Sequence, residues 1–273
     1  MFWHSRKSTE VSLRYENAYI HPTAEIGADV EIGPFTYVGP NSRIGDGTRL
    51  HNHVTLVANV VLGQTNEIFP GAVLGAVPQD KKYKGEESWV ILGDSNTIRE
   101  CVTINSGTAL GGGLTRVGNR NLIMASCHIA HDCILEDEIT MANNVLLGGH
   151  VKVEDRVGFG GLAAVHHFVT VGRQAFVGGL ARVTQDVPPY MLVEGNPVRI
   201  WSINKVGLKR NGFGSGAMKA LKEAHRLLFR SRISRKEAVD RLLASFPNVP
   251  EIKTLASFLE DSDKGNHGRA RQP

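Results

Sequence analysis

From Ile20, every sixth residue is aliphatic in an unbroken series that ends at Leu74. The register returns at Leu92, Ile98 and Ile104, slips by one residue, and then runs from Val117 to Val183. A glycine often follows the aliphatic residue directly, as at Gly27, Gly33, Gly39, Gly118 and Gly160. A period of six matches neither an amphipathic helix nor a simple alternating strand. It matches a parallel β-helix in which each hexad supplies one short strand and one corner. The aliphatic residue fills the coil, and the adjacent glycine is expected where the chain bends. Three sides close one coil, so residues eighteen apart stack at the strand spacing of roughly 4.8 Å.

The pattern divides the chain. Residues 1–19 form a lead-in, residues 20–190 the β-helix, residues 191–214 a connecting segment, residues 215–262 a helical domain, and residues 263–273 a polar, disordered tail. Two insertions interrupt the coils. Ala76–Val90 (AVPQDKKYKGEESWV) is too polar to continue them, and Asn105–Arg116 (NSGTALGGGLTR) is rich in glycine and threonine. Loops on a rigid scaffold are common carriers of function. Pro188 and Pro189 remove two sheet donors and are expected to end the hexads. Beyond Ser215 the spacing changes to three and four at Met218, Leu221, Ala224 and Leu228. Faces at Ala238, Leu242 and Leu243 and at Ile252, Leu255 and Phe258 follow, predicting three short helices. Such prisms expose flat sides and unpaired end strands, and packing around a three-fold axis makes a homotrimer the favoured assembly.

Charge sharpens this division. The net charge is +4, but Trp201–Pro273 carries fifteen Lys and Arg against seven Asp and Glu, which leaves the first 200 residues acidic. A basic end on an acidic body suits an acidic partner or a phosphorylated ligand. Without an aromatic-rich basic motif, nucleic acid is not the expected partner. No run of eighteen apolar residues marks an integral membrane segment. The first residues lack the apolar run of a secretory signal. Cys101, Cys127 and Cys133 form no CxxC pair and are read as reduced structural thiols of a cytoplasmic protein.

Chemistry concentrates in CHIAHDC (Cys127–Cys133), GGH (Gly148–His150) and VHHF (Val165–Phe168). His128, His131, His150 and His166 fall in successive coils, with His167 beside the last. By the eighteen-residue stacking count, Gly149 follows His131 and His150 follows Asp132. These are parts for acyl transfer. His131 would be a general base, Asp132 or a backbone carbonyl would fix its tautomer, and the Gly149 N–H would hold an oxyanion. No serine or cysteine pairs with His131, which favours direct attack by an acceptor hydroxyl. A zinc hydratase is the rival chemistry, since three imidazoles would suit that metal. It leaves the Asp132 pairing and the basic end without a role, so no metal and no cofactor are expected.

The hexads combine with PQDKKYKGE (Pro78–Glu86), IRECVTINSGT (Ile98–Thr108), GGGLTRVG (Gly111–Gly118), IAHDC (Ile129–Cys133), QDVPPY (Gln185–Tyr190), EGNPVR (Glu194–Arg199) and GLKRNGF (Gly207–Phe213). Together, over about residues 20–260, they resemble the UDP-N-acetylglucosamine O-acyltransferase family of lipid A synthesis. The resemblance implies a left-handed parallel β-helix, against the usual right-handed crossover, and a homotrimer with sites between subunits. It implies transfer of a 3-hydroxyacyl group from acyl carrier protein to the sugar 3-hydroxyl of UDP-N-acetylglucosamine. His131 then matches the base, Asp132 its support and Gly149 the oxyanion amide. His128, His150 and His166 match residues near sugar and acyl chain, while Gln79, Asp80 and Lys82 match a loop that meets substrate across the interface. Asn204 and Arg210 match the nucleotide end, and Gly179 the acyl-length position. The chain departs from the family pattern at His167, where glutamine is common, at Asn211, where a second arginine often follows, and at Val206, where an acidic residue occurs.

Other readings remain in view. The N-acyltransferase of the same pathway shares the coils but usually carries an N-terminal uridine-binding domain, for which nineteen residues leave no room. A non-catalytic β-helix would tolerate the loss of His131.

Overall fold

The computed structural model describes residues 17–271. Most of the expected lead-in, residues 1–16, lies outside them. The chain forms two compact units that divide at Asn144 and Val145.

The first unit consists of short parallel strands arranged in three sheets. Tyr19–Ile20 pairs with Tyr37–Val38, which pairs with Thr55–Leu56, each eighteen residues after the last. The offset widens to thirty at Val73↔Thr103 and to twenty-five at Thr103↔His128, where the two insertions leave the coil. The hexad residues point inward, and Ile44, Leu56, Leu74, Ile98, Ile104 and Ile129 are fully buried. Each is worth about 1.5–3 kcal/mol in burial alone. One corner carries a buried amide ladder. Asn66 Oδ1 accepts from Asn96 (2.9 and 3.0 Å), Asn96 Oδ1 from Asn121 (2.9 and 3.0 Å), and Asn121 Oδ1 from Ile139 N–H (2.7 Å). The ladder satisfies backbone groups that a turn would otherwise bury unpaired.

The bends do not fall at the glycine beside each aliphatic residue. They fall three positions after the aliphatic residue, at residues with positive φ such as Asp29, Phe35, Asn41 and His53. A side chain in this conformation costs about 1–2 kcal/mol. Bonds such as Phe35 N–H to Asn17 O (2.8 Å) and Asn59 N–H to Pro40 O (2.9 Å) offset that cost. The adjacent glycine serves close approach between coils instead: a Cβ on Gly39 would lie 1.8 Å from the Val57 carbonyl oxygen.

In the second unit, Leu146–Leu147, Ala164–Val165 and Arg182–Val183 pair in parallel, as do Lys152–Val153 and Thr170–Val171. No hexad strand follows Pro188 and Pro189 among the described residues, but the sheet continues past them. Met191–Glu194 adds in parallel to Phe176–Val177, and Arg199–Ile203 closes the edge as an antiparallel strand. The prolines occupy a bend, where no ladder donor is required.

The three expected helices are α2 (Ser215–Phe229), α3 (Arg235–Ser245) and α4 (Pro250–Asp263). They follow a fourth, α1 (Lys205–Arg210), inside the segment read as a connector. Six residues with a central glycine are too few to show a helical period. Met218, Leu221 and Ala224 of α2 share a core with Leu242 of α3 and with Ile252 and Leu255 of α4. Ser234 caps α3 by accepting from Glu237 N–H (3.2 Å), and Pro250 opens α4. The tail expected to be disordered is placed as far as Arg271 and ends in a 3₁₀ turn, Gly268–Arg271.

Candidate active site

In the first unit His131 and Asp132 follow the strand His128–Ile129, and Asp132 is a positive-φ corner residue (φ 61°). Its N–H donates to Thr115 Oγ1 (2.8 Å). The side chain turns inward, only 1% exposed, while His131 keeps 14% of its surface. Asp132 Oδ2 lies 2.7 Å from His131 Nδ1 and accepts from Thr108 Oγ1 at 2.7 Å, while Oδ1 accepts from Thr108 N–H at 2.7 Å. A carboxylate held by such donors accepts from an Nδ1–H of His131, which in the neutral ring leaves Nε2 as the acceptor. That is the orientation a general base needs. The group that meets His131 Nδ1 is thus the Asp132 carboxylate.

The two insertions build this cradle. Thr108 caps the 3₁₀ turn Ala109–Gly111 by accepting from Gly111 N–H (3.2 Å). A Cβ on Gly111 would stand 2.0 Å from the Asp132 carboxyl carbon, so only glycine lets the turn close over the carboxylate. Glu86 of the first insertion accepts from Ala109 N–H (3.1 Å), and Ser88 donates to Ser106 (2.8 Å). The Ala109 amide, then that of Lys84, holds the Glu86 carboxyl below its usual range. His128 pairs across strands with Thr103, its Nδ1 2.7 Å from the hydroxyl. Burial first, and the neighbouring His131 second, push its pKa down, which disfavours the charged ring. Gln79 and Lys82 are exposed on the first insertion, and Asp80 accepts from Lys82 N–H (3.0 Å). None of these three makes a side-chain hydrogen bond to the His131 network.

Gly149, His150, His166 and His167 belong to the second unit. Gly149 is buried and its carbonyl accepts from Phe168 N–H (3.0 Å), while its own N–H has no partner among the described residues. The His150 ring stacks on Phe168 at 4.3 Å. His166 Nδ1 meets the His167 carbonyl at 3.3 Å, and the two rings lie 3.8 Å apart. Gly179 is exposed, and a Cβ there would sit 3.2 Å from the Gly161 carbonyl oxygen, next to the exposed Leu162 and Leu180.

Asn204 is buried, its Oδ1 accepts from Gly207 N–H (3.1 Å) to cap α1, and its Nδ2 donates to the Gln174 carbonyl (2.8 Å). Both ends of that amide are used by the fold. Arg210 is exposed at the last turn of α1, and Val206 is exposed at its start. Asn211 donates to the Gln174 side chain (2.6 Å).

Sequence reasoning missed Thr103, Thr108, Thr115, Glu86 and Gln174. Thr108 and Asp132 are twenty-four residues apart, a separation that the coil period does not reach. The composition of the Gly- and Thr-rich insertion was the only available signal.

The family profile described as Udp N-acetylglucosamine O-acyltransferase, Domain 2, matches residues 186–267. A second, for the GMPPB C-terminal domain, matches residues 14–113, short of the His131 segment. The Synechocystis protein named acyl-[acyl-carrier-protein]–UDP-N-acetylglucosamine O-acyltransferase is 47% identical over 209 residues, 76% of this chain and 75% of its own. The chain belongs to the UDP-N-acetylglucosamine O-acyltransferase family. A relative of the same name from Verminephrobacter eiseniae is 45% identical over 92% of this chain and 95% of its own. Among solved structures, LpxA from Acinetobacter baumannii superposes with a TM-score of 0.88 at 40% identity, over 91% of this chain and 97% of that one. The UDP-N-acetylglucosamine O-acyltransferase of Moraxella catarrhalis gives 0.87 at 40%, covering 90% and 96%. The fold is the left-handed parallel β-helix of the family with a small helical C-terminal part, as the hexads and the resemblance implied. Membership decides against the zinc hydratase and the non-catalytic readings and favours the O-acyl over the N-acyl enzyme. No helix among the described residues is long and apolar enough to cross a membrane.

Proposed function

We infer that the protein transfers a 3-hydroxyacyl group from acyl carrier protein to the sugar 3-hydroxyl of UDP-N-acetylglucosamine, the first step of lipid A synthesis, with His131 as general base. The observation that carries the mechanism is the 2.7 Å contact between His131 Nδ1 and the buried Asp132 carboxylate. Nε2 takes the proton of the 3-hydroxyl as that oxygen attacks the thioester carbonyl. The Gly149 N–H receives the developing oxyanion. Collapse breaks the carbon–sulfur bond, and the departing thiolate takes the proton back from the imidazolium. Attack is direct, because Cys127 and Cys133 are buried inside the coils and neither thiol is placed as a nucleophile.

In this reading His128, His150, His166 and His167 contact sugar and acyl chain, and Gly179 leaves the acyl groove open. Arg210 meets the diphosphate, and Asn204 acts through α1, whose first turn it caps. Gln79, Asp80 and Lys82 serve a neighbouring subunit of a homotrimer, which accords with the exposure of Gln79 and Lys82 and with the exposed apolar corners Leu162 and Leu180. A groove of about 850 Å³ on the helical part suits an acidic carrier protein. Lys205, Lys209, Lys219, Lys222 and Arg226 ring its apolar floor of Phe213, Met218 and Phe246. Mass analysis of the product from UDP-N-acetylglucosamine with a panel of carrier thioesters tests the reaction. A 3-O-(3-hydroxyacyl) product is expected, and acyl transfer to the 2-position or to an amine would overturn the assignment.

A further inference from the structure

The last described residues fold back onto the second unit. The His267 ring stacks on Phe258 of α4 at 4.7 Å, and Gly268 packs against the Asp186 carboxylate. Asp186 in turn accepts from Thr170 N–H (2.8 Å) and from Ser262 of α4 (3.3 Å). The 3₁₀ turn then delivers Arg271, whose Nη2 donates to two backbone carbonyls, those of His150 (2.9 Å) and Phe168 (2.5 Å). Its guanidinium lies 5.8 Å from the centre of the Phe168 ring. His150 and Phe168 are corner residues with φ of 61° and 66°, and their rings stack. One guanidinium thus ties the peptide planes of two corners whose side chains form a single stack. Guanidinium geometry suits the task, since its donors lie in one rigid plane.

We propose that residues 265–271 form a strap in which Arg271 is a positioning residue, fixing the direction of the His150 ring for substrate. The proposal rests on the reading above that places His150 at the sugar. Fixing two peptide planes narrows the arc through which the imidazole swings, and small misplacements of a binding group are costly in turnover or affinity. Four full-length enzymes decide it: Arg271→Ala, Arg271→Lys, His150→Ala and the double variant His150→Ala/Arg271→Ala. Each is assayed for kcat, for KM of both substrates and for Tm. Arg271→Ala should raise KM for UDP-N-acetylglucosamine on the order of tenfold, with kcat and Tm nearly unchanged. Arg271→Lys should recover part of that loss. The double variant should be no worse than His150→Ala, because Arg271 acts through His150. A wild-type KM in Arg271→Ala beside a defective His150→Ala would overturn the strap alone, as would multiplicative effects in the double variant. Normal kinetics in His150→Ala would sink the placement of His150 at the sugar, and the proposal with it.

Discussion

Replacing Asp132 by asparagine tests the tautomer argument with little change of shape. Oδ1 faces the Thr108 N–H at 2.7 Å, and a backbone N–H can only donate. The asparagine oxygen must therefore occupy that side, which places its NH₂ where Oδ2 was, 2.7 Å from both His131 Nδ1 and Thr108 Oγ1. The hydroxyl rotates to accept, and the imidazole has to present a bare Nδ1. Its proton then sits on Nε2, the nitrogen that should take one from the substrate. The neutral amide keeps the cradle under Gly111 but enforces the wrong tautomer. In serine proteases the corresponding change costs about 10⁴-fold in kcat, and a loss of roughly 10³–10⁴ is expected here. Stability should move by no more than about 1–2 kcal/mol, since lost charge-assisted bonds are offset by relief of a buried charge. Steady-state kinetics with Tm measured alongside provide the assay. A folded Asp132→Asn enzyme with kcat within tenfold of wild type would refute the reasoning.

Burial holds the His128 pKa below its ordinary 6.5, so the unfolded chain takes a proton before the folded one does. Stability is therefore full above that value and falls as pH drops through the depressed folded one. Thermal unfolding between pH 8 and 5 should show a shallower acid-side fall in His128→Gln than in wild type, and parallel curves would exclude His128 as a source. Reversing Lys219, Lys222 and Arg226 to glutamate should raise KM for the carrier thioester, with a penalty that shrinks as salt screens the groove. KM for UDP-N-acetylglucosamine should hardly change, and an unaltered carrier KM would remove this groove from the docking surface.

The coils were legible because a residue of the hexad register meets the same environment at each turn, so Ile44, Leu62 and Leu92 repeat one another. The pairing of His131 with Asp132 was legible for a related reason: neighbours at a corner stay neighbours in space. Thr108 was not, because the insertion carrying it breaks the period, and only the folded turn brings its two donors to the carboxylate. The surroundings of Asn204 were not legible either: its amide caps α1 and holds Gln174, partners that no local spacing announces. Arg271 lay in a stretch whose polarity read as disorder. A few polar groups with specific partners order it, and composition does not register those.

The central claim is that His131 removes the proton of the attacking hydroxyl. Single-turnover transfer by His131→Ala, measured with both substrates saturating and with the assembly state checked, tests it most directly. The claim predicts a loss of about 10²–10⁴-fold in the transfer step with substrate affinities largely retained. Transfer at more than half the wild-type rate by the properly assembled variant would contradict it.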